Sequence, residues 1–142
     1  HWILHNRPSS GSKANIGLGI NNGSVIFSVD IAGGGNVENI STSADIRDGF
    51  WHHIAGFFDN SKNKVEVYVD GDLVGEGTVN NNPSLSNMTG YFIGRNSSTN
   101  LNYWNRQIQH VRIYDHALTS QEVQYLYQVG NRGLHTSSKR TL

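Results

Sequence analysis

Two dipeptides, Asn22-Gly23 and Asp70-Gly71, restrict what this chain can fold into more than any other feature. Each lies between two β-rich runs, and Asn, Asp and Gly accept the positive φ that a two-residue hairpin turn requires. Residues 14–20 lead into the first turn and residues 24–31 lead out of it. Residues 64–70 lead into the second, with Val65, Val67 and Val69 on one side of the alternation and Glu66 and Tyr68 on the other. That period of two predicts a half-buried strand, returning through Leu73, Val74 and Val79. Residues 50–59 read as a long apolar strand turned by residues 60–63, and residues 90–95 and 107–114 as two more. Ile108 and Val111 differ in parity, which predicts a bulge or a switch of face near Gln109. Residues 80–87 and 96–105 read as polar loops, and Gly33-Gly34-Gly35 opens another.

One helix is predicted near the end. Thr119 and Glu122 have the spacing of a capping box, in which the hydroxyl serves the Glu122 amide and the carboxylate reaches back. Leu118 and Val123 stand at the positions of a hydrophobic staple, and Val123, Leu126 and Tyr127 form one apolar stripe. Gly130 predicts a left-handed stop, after which residues 131–142 read as a polar tail or linker. Residues 1–130 then form one domain, an all-β antiparallel sandwich of about eight strands with one short C-terminal helix. A chain of 142 residues can bury the core such a domain needs.

Composition removes several classes of function. Eleven basic and eleven acidic residues cancel, which leaves no basic face for a nucleic acid. No apolar run approaches the roughly 18 residues of a membrane span, so no membrane insertion is expected. With no cysteine, disulfide frameworks, thiolate zinc sites and cysteine nucleophiles are excluded. The chain opens on His1 rather than Met and reads as a processed protein or a piece of a longer one. Sequons at Asn22, Asn39, Asn87 and Asn96 mark expected surface turns.

Four motifs in order carry a family resemblance: Phe50-Trp51-His52-His53-Ile54-Ala55, Val67-Tyr68-Val69-Asp70-Gly71, Phe92-Ile93-Gly94-Arg95, and the run from Val111 to Thr119. Together they resemble the laminin G-like domains of the concanavalin A-like lectin/glucanase superfamily. The resemblance covers roughly residues 17–127 and implies a jelly-roll sandwich. It also implies that Trp2-Ile3-Leu4 corresponds to the family's third or fourth strand, the first being missing, replaced or supplied by another segment. Where relatives carry Ile-Asp-Glu this chain has Ile108-Gln109-His110, so the carboxylates of an inherited calcium site are lost.

The candidate sites follow from residue chemistry. Glycoside hydrolysis needs two carboxylates roughly 5–9 Å apart on one face. The nearest candidates are Glu66, Asp70 and Asp72, and turn formation accounts for the two aspartates, so no catalytic residue and no enzyme is expected. His52 and His53 point to opposite faces of a strand and cannot share an ion, and Trp51 reads as core. Asp59, Asn60 and Asn63, with Ser61 between them, make the one oxygen-rich turn where Ca2+ could sit, although calcium wants six to eight oxygens. No other cofactor is expected. Sugar binding wants an aromatic platform with amides around it, and the loop carrying Asn96, Asn100, Asn102, Tyr103, Trp104 and Arg106 has that make-up. In the relatives a buried aromatic occupies the place of Trp104, which gives that ring a structural reading as well.

The expected function is a non-catalytic module that recognises carbohydrate or a protein partner at an extracellular surface, inside a larger secreted, cell-surface or virion protein. The alternative is a structural or assembly subunit that self-associates through exposed sheet edges.

Overall fold

The computed structural model describes residues 1–8, 15–30, 38–79, 88–95 and 103–137. The strands are β1 (Trp2–Pro8), β2 (Asn15–Asn21), β3 (Ser24–Asp30), β4 (Glu38–Asp45), β5 (Ile54–Asp59), β6 (Lys64–Val69), β7 (Asp72–Thr78) and β8 (Met88–Ile93). One helix, α1 (Ser120–Ser137), follows among the described residues. Two antiparallel sheets result, one ordered β4-β3-β2-β1-β8 and the other β5-β6-β7.

Both hairpins form where the dipeptides place them. Asn22 and Gly23 stand at φ 49° and 93° between the paired residues Asn21 and Ser24. Asp70 and Gly71 stand at φ 53° and 89° between Val69 and Asp72. Two successive left-handed residues match the twist of the flanking strands.

The small sheet packs across β3 and β4 of the large one, and valines from both fill the space between. Val25, Val29, Val65 and Val67 are fully buried there with Phe27, Ile40, Val69 and Val79. Gly56 has to be glycine, because a Cβ at that position would collide with the Phe27 ring.

Strand β6 departs from the expected half-buried strand. Tyr68, on the side opposite the valines, is only 3% exposed, because α1 covers that face. Leu118 and Val123 bury against Tyr68, with Ala55, Phe57 and Leu126 around them. The helix entrance is the predicted capping box: Glu122 N donates to Thr119 Oγ1 at 3.3 Å, and Thr119 N donates to Glu122 Oε2 at 2.8 Å. The molecule therefore has three layers: large sheet, small sheet, helix.

Three further expectations are corrected. Strand β5 begins at Ile54 rather than residue 50, because side chains take the bonds of the preceding segment, as described below. Residues 107–114 join no ladder, and His110 at φ 52° interrupts them near the predicted switch of face. The helix continues past Gly130 to Ser137, so residues 131–137 are helical rather than tail. Residues 31–37, 80–87 and 96–102, read from sequence as loops or their flanks, lie outside the described residues.

Candidate functional site

The segment between β4 and β5 makes no ladder, and two aspartates hold it instead. Asp48 Oδ1 accepts the Phe50 amide at 2.9 Å and stands 2.9 Å from His52 Nε2. The other ring nitrogen, His52 Nδ1, meets Asp70 Oδ2 at 2.7 Å. Asp70 Oδ1 accepts the His53 amide at 2.9 Å, and the Asp70 amide donates to the His53 carbonyl at 2.8 Å. One imidazole thus joins the loop to the β6–β7 turn. That turn is seated in its turn under α1, where Gly71 is buried beside Tyr127.

The consequence is a shelf of two rings. Phe50 is 79% exposed and Trp51 41% exposed, on a backbone fixed from below by Asp48, His52 and Asp70. Trp51, expected in the core, is instead 41% exposed, in a segment that the clamp rather than a ladder holds. Burial lowers the basicity of His52, but its hydrogen bonds to Asp48 and Asp70 outweigh that and raise its pKa above the ordinary value. Asp48 is held lower than usual by the Phe50 amide and then by His52. His53 moves down through burial, with Asp70 opposing and Arg112 adding to the shift.

Phe50 and Trp51 belong to the lining of an open groove of about 1490 Å³, which β5 and residues 104–118 also line. Ile16, Leu18 and Ile20 of β2 line it from the large sheet, and Leu126 and Tyr127 from the helix. Its lining holds one carboxylate among the described residues, Asp115, which lies 2.7 Å from His116 Nδ1 with its side chain 98% exposed.

Of the residues picked out for sugar binding, Tyr103, Trp104 and Arg106 are described, whereas Asn96, Asn100 and Asn102 lie outside the described residues. Tyr103 is 52% exposed, and its carbonyl lies 3.0 Å from His1 Nδ1. Trp104 is half-buried and tied in: its amide donates to the Gly94 carbonyl at 2.7 Å and its indole to the Gln107 carbonyl at 3.4 Å. Arg106 is exposed on the groove lining.

In the oxygen-rich turn, Asp59 Oδ1 accepts the Ser61 amide at 3.0 Å and hydroxyl at 2.6 Å, and Oδ2 meets Lys62 Nζ at 2.8 Å. Lys62 and then Ser61 hold this carboxyl well below the usual range. Asn60 is exposed, while Asn63 is left-handed at φ 50° with its Oδ1 buried and unpartnered. Among the described residues no three histidine or carboxylate groups gather at metal-ligand spacing.

A laminin G-type family model, described as the concanavalin A-like lectin/glucanases superfamily, matches residues 2–124. The chain belongs to that superfamily. Among solved structures it is similar to the CBM40 module of the Ruminococcus gnavus IT-sialidase, solved both alone and with α2,3-sialyllactose. Each of those matches has a TM-score of 0.74 at 15% identity, over 89% of this chain and 73% of that one. An S-layer domain-containing protein of Clostridium thermocellum matches with a TM-score of 0.47 at 25% identity, over 89% of this chain and 62% of that one. No curated protein matches. The fold is thus the antiparallel jelly-roll sandwich of the superfamily.

Within this lectin/glucanase sandwich, sequence reasoning missed the shelf. The available signal was Asp48 two residues before Phe50, the spacing at which an Asp side chain caps a following amide. A strand reading of residues 50–59 concealed it.

Proposed function

We propose that this chain is a non-catalytic carbohydrate-binding module of an extracellular protein, whether secreted, on a cell surface or on a virion. One observation carries the reading: two aromatic rings, Phe50 and Trp51, are exposed on a segment that a His–Asp clamp ties to the β6–β7 turn. A ring face offers the apolar side of a sugar a stacking surface. Tyr103 and Arg106 add an exposed phenol and a cation for ligand hydroxyls or carboxylates, and we place Asn96, Asn100 and Asn102 in the same loop as further polar contacts. Trp104 serves that loop as its anchor. Superfamily membership supports the reading of a carbohydrate-binding module.

The test is calorimetric titration with a glycan panel, beginning with α2,3-sialyllactose, the sugar bound by the CBM40 module of similar fold. Phe50→Ala and Trp51→Ala should each weaken binding roughly three- to ten-fold with the melting temperature unchanged. Chelation of calcium should leave affinity unchanged, because Asp59 already serves its own turn and Lys62. Full affinity in both ring variants, or no glycan bound at all, overturns the proposal.

A second reading, self-association through sheet edges, is favoured by the large sheet ending at β4 and β8 with no further strand among the described residues. A sedimentation mass that rises with concentration would support it, and a constant 15.7 kDa would remove it.

A further inference from the structure

His52 meets a carboxylate at each ring nitrogen, Asp48 at Nε2 and Asp70 at Nδ1, 2.9 and 2.7 Å away. An ionised carboxylate only accepts, and a neutral imidazole carries one N–H. Both contacts are therefore hydrogen bonds at the same time only on the imidazolium. Each carboxylate also accepts a backbone amide, Phe50 on Asp48 and His53 on Asp70, so each is used as an acceptor throughout. The charged groups acting on the ring are these two, one from its own segment and one from the β6–β7 turn. Arg47 is taken by Asp45, Arg112 acts on His53, and α1 brings Tyr127 to Gly71 and to the His53 ring.

We propose that His52 is the positioning residue of the shelf and that its positive charge is the latch. The charged ring closes the Phe50–Trp51 segment onto the β6–β7 turn, and loss of the proton opens that segment at Asp48. The consequence for ligand binding rests on the carbohydrate-module reading above. A neutral ring keeps one N–H and turns a lone pair on the other carboxylate, so one of the two contacts has to part. Asp70 is the better held, since it bonds His53 through both its amide and its carboxylate. Asp48 is the more exposed of the pair and is followed by Gly49, which is left-handed at φ 88° with open space around it. The parting therefore falls at Asp48, and Phe50 and Trp51 stand between the two groups that separate. The two carboxylates raise the ring's hold on its proton, so the latch is closed below 6.5 and opens as pH rises through the higher folded value. Binding at the shelf is then strongest on the acid side.

The test follows the ligand-free 142-residue chain by NMR from pH 5.5 to 8.5. At pH 5.5 both His52 ring nitrogens should carry a proton, and the heteronuclear NOE of the Phe50 and Trp51 amides should match that of β6. Those two NOE values should fall as the ring loses its proton, with a midpoint above 6.5, while β6 holds. Asp70→Asn separates charge from contact. A carboxamide accepts the His53 amide and donates to a neutral ring at Nδ1, which leaves Nε2–H for Asp48, and Asn tolerates the φ of 53° at this position. Its NOE values should therefore stay level with pH. Titration with α2,3-sialyllactose, whose own charge is constant over this range, should be about three-fold weaker at pH 8.5 than at 5.5 in the parent chain and level in Asp70→Asn. A single N–H on His52 at pH 5.5, NOE values indifferent to its titration, or the same fall in Asp70→Asn each overturns the latch. If Asp70→Asn does not fold, the parent chain's titration decides by itself. Falling NOE values with no glycan bound at any pH uphold the latch and overturn the module reading; glycan bound equally at both pH values overturns the latch and leaves the module reading standing.

Discussion

His52 is the residue on which the shelf depends, and its protonation has a definite sign. Its pKa is raised by Asp48 and Asp70, so the stability it contributes is complete below its unfolded value near 6.5 and is lost as pH rises through the folded value. His5 and His53 run the other way. Burial lowers both, so their contribution is complete above 6.5 and is lost as pH falls through their folded values. His52→Ala should therefore flatten the fall of melting temperature on the alkaline side of 6.5 and leave the acid side as steep as before. A thermal scan from pH 5 to 8.5 checks this; an unchanged alkaline limb would show that the clamp does not couple to folding. What was legible at this scale is the backbone chemistry of single residues. Asn22, Gly23, Asp70 and Gly71 take left-handed conformations because little else can. The exposure of Trp51 was not legible, since the bonds that hold its segment join His52 and His53 to Asp70, distant in sequence.

Local elements carry testable energies of their own. Thr119 caps α1 through its hydroxyl, and Thr119→Ala should cost about 1 kcal/mol, which lowers the melting temperature by roughly 2–4 °C in differential scanning calorimetry. Gly56→Ala drives a methyl into the Phe27 ring between the sheets and should cost about 1–3 kcal/mol in urea denaturation. No loss in that variant would mean that β5 can withdraw from the large sheet. The capping box and the β6 alternation were readable because each is complete within a few residues. Residues 107–114 misled because a short apolar run names no neighbour to pair with, and among the described residues they join no ladder. Gly130 misled because a glycine in open space costs a helix only about 1 kcal/mol, too little to end it by itself.

As a whole, the molecule needs its third layer. Removing residues 119–142 should uncover Tyr68 and Phe57, raise binding of an apolar dye and lower the melting temperature. A truncated chain with native dye response would show that α1 rides on the sandwich without sealing it. The order of strands carries a further consequence for how the chain comes off a ribosome. Strand β1 lies inside the large sheet, where Leu4 pairs with Ile93, and so a partner nearly ninety residues further along must be synthesised before that pairing can close. Until then the margin of β1 that β8 will cover is unpaired by β8 on the nascent chain, while β2 pairs the other margin. Contacts so distant along the chain make for slow folding, and the closing step belongs to β8. A cell that produces this protein quickly has to keep that early strand from pairing with a stranger for as long as β8 is still unmade.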